Sequence, residues 1–405
     1  MDFRGGVPAE EATLIVVPIM LSSPAIVRQE IEKLEVRYFA NQNSNIYFSL
    51  FSDFTDAPDP TNPMDPALLE IAQKGIADLN ARPPGGRFLL FHRRREWSES
   101  ERMWIGRERK RGKIEDLNAY LTGKGREEIL SAGQLTLPIR YVITLDADTQ
   151  LPPNAARRMI ETIAHPLNKV ELDPRTRVRK GGFAIIQPRV SIALPGATAT
   201  RFTRIFADTS GTDPYCQSVS DVHQDLFGEA TFHGKAIYEV AAFRAAVGNR
   251  FPTGRILSHD LIEGAHAGVG LAADIELFEN LPLNYESYCK REHRWIRGDW
   301  QIASWLFPRV PAAGGGTVPN PLSAINRWRI FDNLRRSLVS SALTLLLLLG
   351  WTVLSPIWLW TVAVIGTIFI PPWIASTLDL FQKPGDVLLR QHLAAAARSA
   401  GRPRP

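Results

Sequence analysis

Three carboxylates in this sequence stand where they could do chemistry. Asp146 and Asp148, in "YVITLDADTQLPP", close an apolar, β-branched run two residues apart. Side chains two apart on an extended strand point the same way, so two like charges would face one another. A cation or a donor-rich ligand between them relieves that repulsion. Hard oxygen ligands favour Mg²⁺ or Mn²⁺, and such an ion can bridge phosphate oxygens and neutralise a diphosphate leaving group. The alternative is an Asp-X-Asp that only caps a solvated turn. Asp260, in "RILSHDLIEG", follows His259 at an expected loop-to-helix junction. A carboxylate outside the metal pair can accept a proton from an attacking hydroxyl. Its alternative is a plain N-cap, since Leu261-Ile262-Glu263 continue helically.

A second chemical signal is "YCKREHRWIRGDWQIASWLF", residues 288 to 307, dense in Trp, Arg and His. Trp295, Trp300 and Trp305 recur about every turn and a half of a helix. A Trp face suits a sugar ring and an Arg suits a phosphate. The same pattern also fits an amphipathic helix at a membrane surface.

The elements that must position these residues alternate between strand and helix. "TLIVVPIML" (13 to 21) reads as a buried strand, and "SPAIVRQEIEKLEVRYFANQ" as an amphipathic helix capped by Ser22 or Ser23 with Pro24 in its first turn. "NIYFSLFSDF" is a second strand ending near Asp53, "PALLEIAQKGIADLNAR" a helix and "RFLLFHRRR" a third strand. A helix beginning at "KIEDLNAYL" follows, then the strand "IRYVITLDAD" and the helix "NAARRMIETIAH". This alternation predicts a mostly parallel sheet covered by helices. Ligands of such sheets bind outside the carboxyl ends of the strands, which is where Asp53, Asp146 and Asp148 fall.

Composition narrows the class. The chain has 405 residues, with 45% hydrophobic and 22% charged content and a net charge of +5. It is long enough for a large domain and something more. The basic residues are scattered and form no nucleic-acid motif, so no nucleic acid is expected as a partner. Cys216 and Cys289 lack the spacing of a zinc site or a disulfide scaffold and read as reduced thiols. No secretory signal opens the sequence.

Two uncharged runs, Leu338 to Leu354 and Ile357 to Ala375, are each of membrane-spanning length. Trp351, Trp358, Trp360 and Trp373 suit interfacial depths. Arg327, Arg329, Arg335 and Arg336 precede the pair, and Lys383 and Arg390 follow it. Positive flanks at both outer ends predict a membrane hairpin with cytoplasmic ends; a buried hairpin of a soluble protein is the alternative. The expected organisation is a cytoplasmic domain over 1–310, a linker and juxtamembrane helix over 311–336, two transmembrane helices over 337–374 and a cytoplasmic tail over 375–405. Gly314-Gly315-Gly316 with nearby prolines marks the linker.

The order Asp53, Asp146-Ala147-Asp148, Asp260, Arg294-Trp295 resembles the D, DxD, D, (Q)xxRW series of the processive, family-2-like inverting glycosyltransferases. "YVITLDADTQLP", "FGEATFHGKAIYEVAAF", "RILSHDLIEG" and "HRWIRGDWQ" resemble more narrowly the glycosyltransferase domain of cyclic β-1,2-glucan synthases. The resemblance runs over roughly residues 10 to 310 and into the hairpin. It implies a GT-A type α/β fold, a bacterial inner-membrane location and transfer of glucose from UDP-glucose to a growing glucan acceptor.

The resemblance also implies roles. Asp53, with Asp56 as a nearby substitute, would hold the uracil or ribose, and Lys110, Arg111 and Lys113 would lie along the nucleotide. Asp146 and Asp148 would carry the Mg²⁺ or Mn²⁺ and diphosphate, with Asp148 the more direct ligand. His233-Gly234-Lys235 would approach the donor sugar and acceptor, with Gly234 allowing close backbone approach. Asp260 would be the general base, Arg294 would bind the diphosphate and Trp295 would stack under the acceptor sugar. Arg291 stands where relatives carry the first Gln of QxxRW. Full-length synthases of this kind are much longer, with further membrane and phosphorylase-like parts, so the chain reads as a piece that needs the rest. Two alternatives stay open: a β-1,4 or β-1,3 polymer synthase, and a non-catalytic membrane-anchored module that binds nucleotide sugars.

Overall fold

The computed structural model describes residues 1–83, 85–125, 127–206, 221–256, 260–381, 388–390 and 393. Cys216, His259 and Lys383 lie outside the described residues. In chain order the first half comprises β1 (Thr13–Leu21), α1 (Pro24–Ala40), β2 (Ile46–Phe54), α2 (Asp65–Ala81), β3 (Phe88–Arg93), β4 (Glu96–Ser98), β5 (Met103–Ile105), α3 (Arg109–Leu121), β6 (Leu130–Ala132), β7 (Tyr141–Thr144) and α4 (Ala155–Ile163). There follow β8 (Glu171–Leu172), β9 (Arg179–Gly181), β10 (Ile185–Ile192), three short helices α5 (Leu194–Thr198), α6 (Arg201–Phe206) and α7 (Val222–Phe227), β11 (Ala236–Glu239), α8 (Val240–Val247), α9 (Asp260–Ala267) and β12 (Val269–Glu279). The chain continues through α10 (Tyr285–Gln301), β13 (Arg309–Pro311), β14 (Thr317–Pro319), α11 (Ala324–Thr352) and α12 (Ile357–Phe381).

Eight strands form one sheet in the order β12-β10-β11-β7-β1-β2-β3-β6. β7, β1, β2 and β3 run parallel, as do β10 and β12. β11 is antiparallel to both neighbours, and β6 is antiparallel to β3. This is the mostly parallel α/β sheet expected of a GT-A type fold. Strand alternation sorts the β2 side chains: Ile46, Phe48 and Leu50 join the core under α1, α2 and α4, while Tyr47 and Phe51 join the core under α3, α8 and α9. Ser23, of the two serines expected to cap α1, accepts from the Ile26 amide at 3.3 Å.

The chain runs outward from β1 through β2 to β3, then returns to place β7 on the other side of β1. The strand order therefore reverses between β1 and β7, and the crevice at such a switch point is where open α/β sheets bind ligands. β1 pairs with β7 only from Thr13 to Val16 and continues alone on that side to Leu21. Pro18, which cannot donate to a ladder, sits in the unpaired part.

One expectation is corrected and two gain detail. β7 stops at Thr144, so Asp146 and Asp148 lie in the turn after it and not on an extended strand. The expected linker carries a hairpin, β13 with β14, whose connection holds the three glycines. The expected boundary at residue 336/337 falls inside one continuous helix, α11. Its first turns pack into the domain core through Ile330 and Leu334, while Leu345, Leu348 and Trp351 further along are exposed. α11 is long and apolar enough to cross a membrane, and an apolar stretch of α12, Ile357–Pro371, is shorter. The two helices pack together, Trp351 donating from Nε1 to the Thr361 hydroxyl at 3.0 Å.

Candidate active site

The turn after β7 is built by its own hydrogen bonds. The Asp146 amide donates to the Thr149 hydroxyl at 3.1 Å, and the Thr149 amide donates back to the Asp146 carbonyl at 3.0 Å. Arg37, buried on α1, clamps the turn from below, donating to the carbonyls of Ala147 and Thr149 at 2.9 and 3.0 Å. The closed turn presents the Asp146 and Asp148 carboxylates at the mouth of the switch-point crevice.

Two ammonium groups meet Asp146. Lys110 Nζ lies 2.6 Å from Oδ1, and Lys235 Nζ lies 3.1 Å from Oδ2. Lys110 also donates to the Gly234 carbonyl at 3.0 Å, and Lys235 pairs with Glu279 at 2.9 Å. Burial works to raise the Asp146 carboxyl, but Lys110 and Lys235 overcome it and hold the group below the ordinary carboxylate range. Lys235 is buried too, yet Asp146 and Glu279 hold its proton more tightly than usual. Asp148 behaves oppositely. Partial burial, then the neighbouring charges of Asp146 and Glu279, push its carboxyl up.

Lys110 reaches this place because α3 begins on a twist. Glu108 and Arg109 both have left-handed backbone, at φ 49° and 48°, a conformation that costs non-glycine residues roughly 1–2 kcal/mol each. Glu108 is held by Arg111 at 2.5 Å and Arg109 by Asp56 at 2.9 Å. Lys110 then points toward Asp146 and Arg111 away from it.

Asp260 arrives from the other side, as the first residue of α9. Gly234 has φ +74°, and a Cβ there would stand 2.6 Å from Asp260 Oδ2 and 3.0 Å from Lys110 Nζ. Only a residue without a side chain lets the base candidate, the ammonium and the backbone carbonyl converge. Asp146, Lys110, Gly234, Lys235 and Asp260 therefore form one cluster, drawn from separate stretches of sequence.

The remaining candidates are placed differently. Asp53 is buried, and Arg93 engages both of its oxygens, at 3.0 and 2.9 Å. Lys113 is turned inward, donating to the carbonyls of Ile19 and Phe51 at 2.7 and 2.9 Å, with Asp53 at 3.3 Å. Burial lowers its pKa to about 8, against the pull of Asp53. Asp53 and Lys113 thus lock the carboxyl ends of β1 and β2, and Asp56 is the more open of the two acidic candidates. Arg294 and Trp295 lie on the exposed side of α10, and among the described residues neither bonds to the Asp146–Asp260 cluster. Arg291 stacks over the Trp295 ring at 4.7 Å, which gives the residue in the expected Gln position a defined contact. Cys289 on α10 is a free thiol.

Among the described residues, no group of three or more His, Cys, Asp or Glu side chains gathers to hold a metal ion. Mg²⁺ does not need such a cage; it is commonly held by one or two carboxylates plus substrate phosphates and waters. Asp148, crowded by like charge at the crevice mouth, fits that donor set, whereas Asp146 is already neutralised by two lysines.

No known family profile matches the chain. It is 39% identical over 399 residues, 97% of its length, to the cyclic β-(1,2)-glucan synthase NdvB of Rhizobium meliloti (strain 1021). The chain is homologous to one segment of a cyclic β-1,2-glucan synthase. The resemblance expected from the motifs is borne out. The chain spans 14% of that synthase's length. Solved structures similar to it include S. aureus TarS, at 10% identity and TM-score 0.41 over 96% of this chain and 54% of that one. TarS 1-349 in complex with UDP matches at 10% identity and TM-score 0.40, covering 96% of this chain and 88% of that one.

Sequence reasoning missed Arg37, Arg93 and Glu279. Arg37 was findable: with Glu30 it interrupts the stripe Val27, Leu34, Tyr38 that α1 buries, and a charge on an apolar face needs a partner. Arg93 stands opposite Asp53 in the β2–β3 register, which no motif reports. Glu279 ends an eleven-residue strand, and only the fold brings it to Lys235.

Proposed function

We propose that the chain is the transfer domain and membrane anchor of an inverting glycosyltransferase that moves glucose from UDP-glucose to a growing β-1,2-glucan. The observation that carries this reading is the convergence of Asp260 with Lys110 and Asp146 around Gly234 at the switch-point crevice. The homology to a cyclic glucan synthase segment supports the glucan product and the need for the rest of a larger synthase.

In this reading the acceptor hydroxyl attacks the anomeric carbon from the side opposite the diphosphate. Asp260 takes the hydroxyl proton as the new C–O bond forms and the bond to the diphosphate oxygen breaks. Lys110 and Lys235 set the charge of the crevice where the diphosphate develops negative charge. Mg²⁺ or Mn²⁺ held by Asp148, when bound, would neutralise the leaving diphosphate. Asp53 and Lys113 support the nucleotide pocket from within, and Asp56, Arg294 and Trp295 contribute from its rim. The bare apolar faces of α11 and α12 are read as inserted in the bacterial inner membrane, with the catalytic domain on the cytoplasmic side.

Asp260→Asn tests the assignment. Loss of a general base costs about 10²- to 10⁴-fold in rate, and the base touches acceptor and not nucleotide. The variant should bind UDP like the parent protein while losing sugar transfer. Near-normal turnover, or an α-linked product, would remove Asp260 from the role.

A further inference from the structure

Behind the candidate active site lies a cavity of about 310 Å³, walled by α3, α8 and the residues that follow α8. Its lining includes Arg111, Ile114 and Asn118 of α3, the helix whose Lys110 faces Asp146. Its apolar wall is core: Phe243 packs on Tyr238 with ring centroids 4.5 Å apart, and Phe251 packs against Trp305 at 6.0 Å. The shape is therefore preformed, and its volume is at the lower end of the range for small-molecule sites.

The charges around it do not balance. Arg107 is answered within the cavity wall by Glu115 at 3.4 Å and by Asp116. Lys124 and Arg244 make no described side-chain hydrogen bond or ion pair among the described residues. Among the described residues Arg250 reaches only backbone carbonyls, of Ala246 at 2.9 Å and Thr176 at 2.6 Å, and Glu263 is the remaining acid lining the cavity. Arg111 decides the case. It is 7% exposed and lines the cavity; Glu108 answers one end of its guanidinium at 2.5 Å, but its Nε is buried with no hydrogen-bond partner among the described residues. A buried guanidinium donor left without an acceptor is costly, and an anion in the cavity would satisfy it. Burial, followed by Arg177, also lowers the Arg250 pKa to about 10, which an added negative charge would reverse.

We propose that this cavity is a second anion site, built for a small phosphate-bearing molecule and separate from the nucleotide crevice. Guanidinium groups suit phosphate because they offer several N–H donors in one plane. The site does not rest on the sugar-transfer reading, since it is defined by binding alone.

The test uses the full chain in detergent micelles, with inorganic phosphate as probe, titrated calorimetrically with and without saturating UDP. Phosphate should bind at Kd near or below about 1 mM, and saturating UDP should not displace it. The double substitution Lys124→Gln with Arg244→Gln changes two side chains outside the buried core. It should weaken phosphate at least about tenfold, as loss of charge-assisted hydrogen bonds does, and leave UDP affinity unchanged. The proposal is overturned by absence of phosphate binding, by its competitive loss under UDP, or by parental phosphate affinity in the double variant.

Discussion

Gly234→Ala should cost far more activity than stability. The backbone at Gly234 is left-handed, which costs an alanine roughly 1–2 kcal/mol. The new methyl would also stand 2.6 Å from Asp260 Oδ2 and 3.0 Å from Lys110 Nζ, so the Asp260 carboxylate must retreat by the better part of an ångström and the Lys110 ammonium by a few tenths to restore ordinary contact. A displacement of about 1 Å at a reacting centre can cost about 10²-fold in rate. Gly228 supplies the control: its φ is +69°, close to that of Gly234, but a Cβ there meets nothing within 4 Å. Gly228→Ala should carry the same backbone strain and keep its transfer rate. Denaturant unfolding in detergent should therefore rank the two variants together, while a radiolabelled UDP-glucose transfer assay separates them by about two orders of magnitude. Equal transfer rates in the two variants would refute the argument that Gly234 is required by the convergence of Asp260 and Lys110.

Asp148→Asn should weaken UDP binding in the presence of Mg²⁺ or Mn²⁺ but hardly in its absence, and excess EDTA should abolish transfer; full turnover in EDTA would exclude the metal. Burial holds His92 down to about 4 and His266 down to about 3, against an ordinary value of 6.5. Both are neutral when folded and take up protons when unfolded below about pH 6.5. Stability should therefore be complete above that pH and fall as pH drops from about 6.5 toward 4, with a shallower slope in His92→Gln; a flat unfolding free energy between about pH 6.5 and 5 would contradict it. Alkaline carbonate should leave the chain in the membrane pellet, and release into the supernatant would count against insertion of α11 and α12.

The parallel half of the sheet was legible because β1, β2 and β3 are buried on both faces and separated by well-signalled helices. The second half was not, because β11 runs against its neighbours and nothing in "KAIYEV" reports direction. The Asp146–Asp148 pair was found by type and spacing, but its geometry was misread. Extended pairing ends at Thr144 because the Thr149 hydroxyl and Arg37 draw the chain into a turn, and side-chain alternation ceases to apply there. Asp53 was readable as a polar residue near a strand end and Lys113 as one at the start of a helix. Their inward orientation depends on Arg93 and on the carbonyls of Ile19 and Phe51, which are matters of register. Arg111 is sequence-adjacent to Lys110 yet meets Glu108 and not Asp146, since adjacent side chains on a helix diverge by about 100°.

The first turns of α11 do more than begin an apolar helix. Arg329 donates to the carbonyls of Glu229 and Ala230 at 2.7 and 3.2 Å, and Asn326 donates to the Glu229 carboxylate at 3.2 Å. Those residues lie only a few positions ahead of Gly234 and Lys235. At 29 residues and 1.5 Å per residue the helix is about 44 Å long, and it is unbroken from this latch to its exposed apolar end. It is a lever arm: a tilt imposed at one end must be resisted or followed at the other. With α11 seated in a bilayer, hydrocarbon thickness would set its inclination, and the latch at Glu229 and Ala230 would be where the domain meets that constraint.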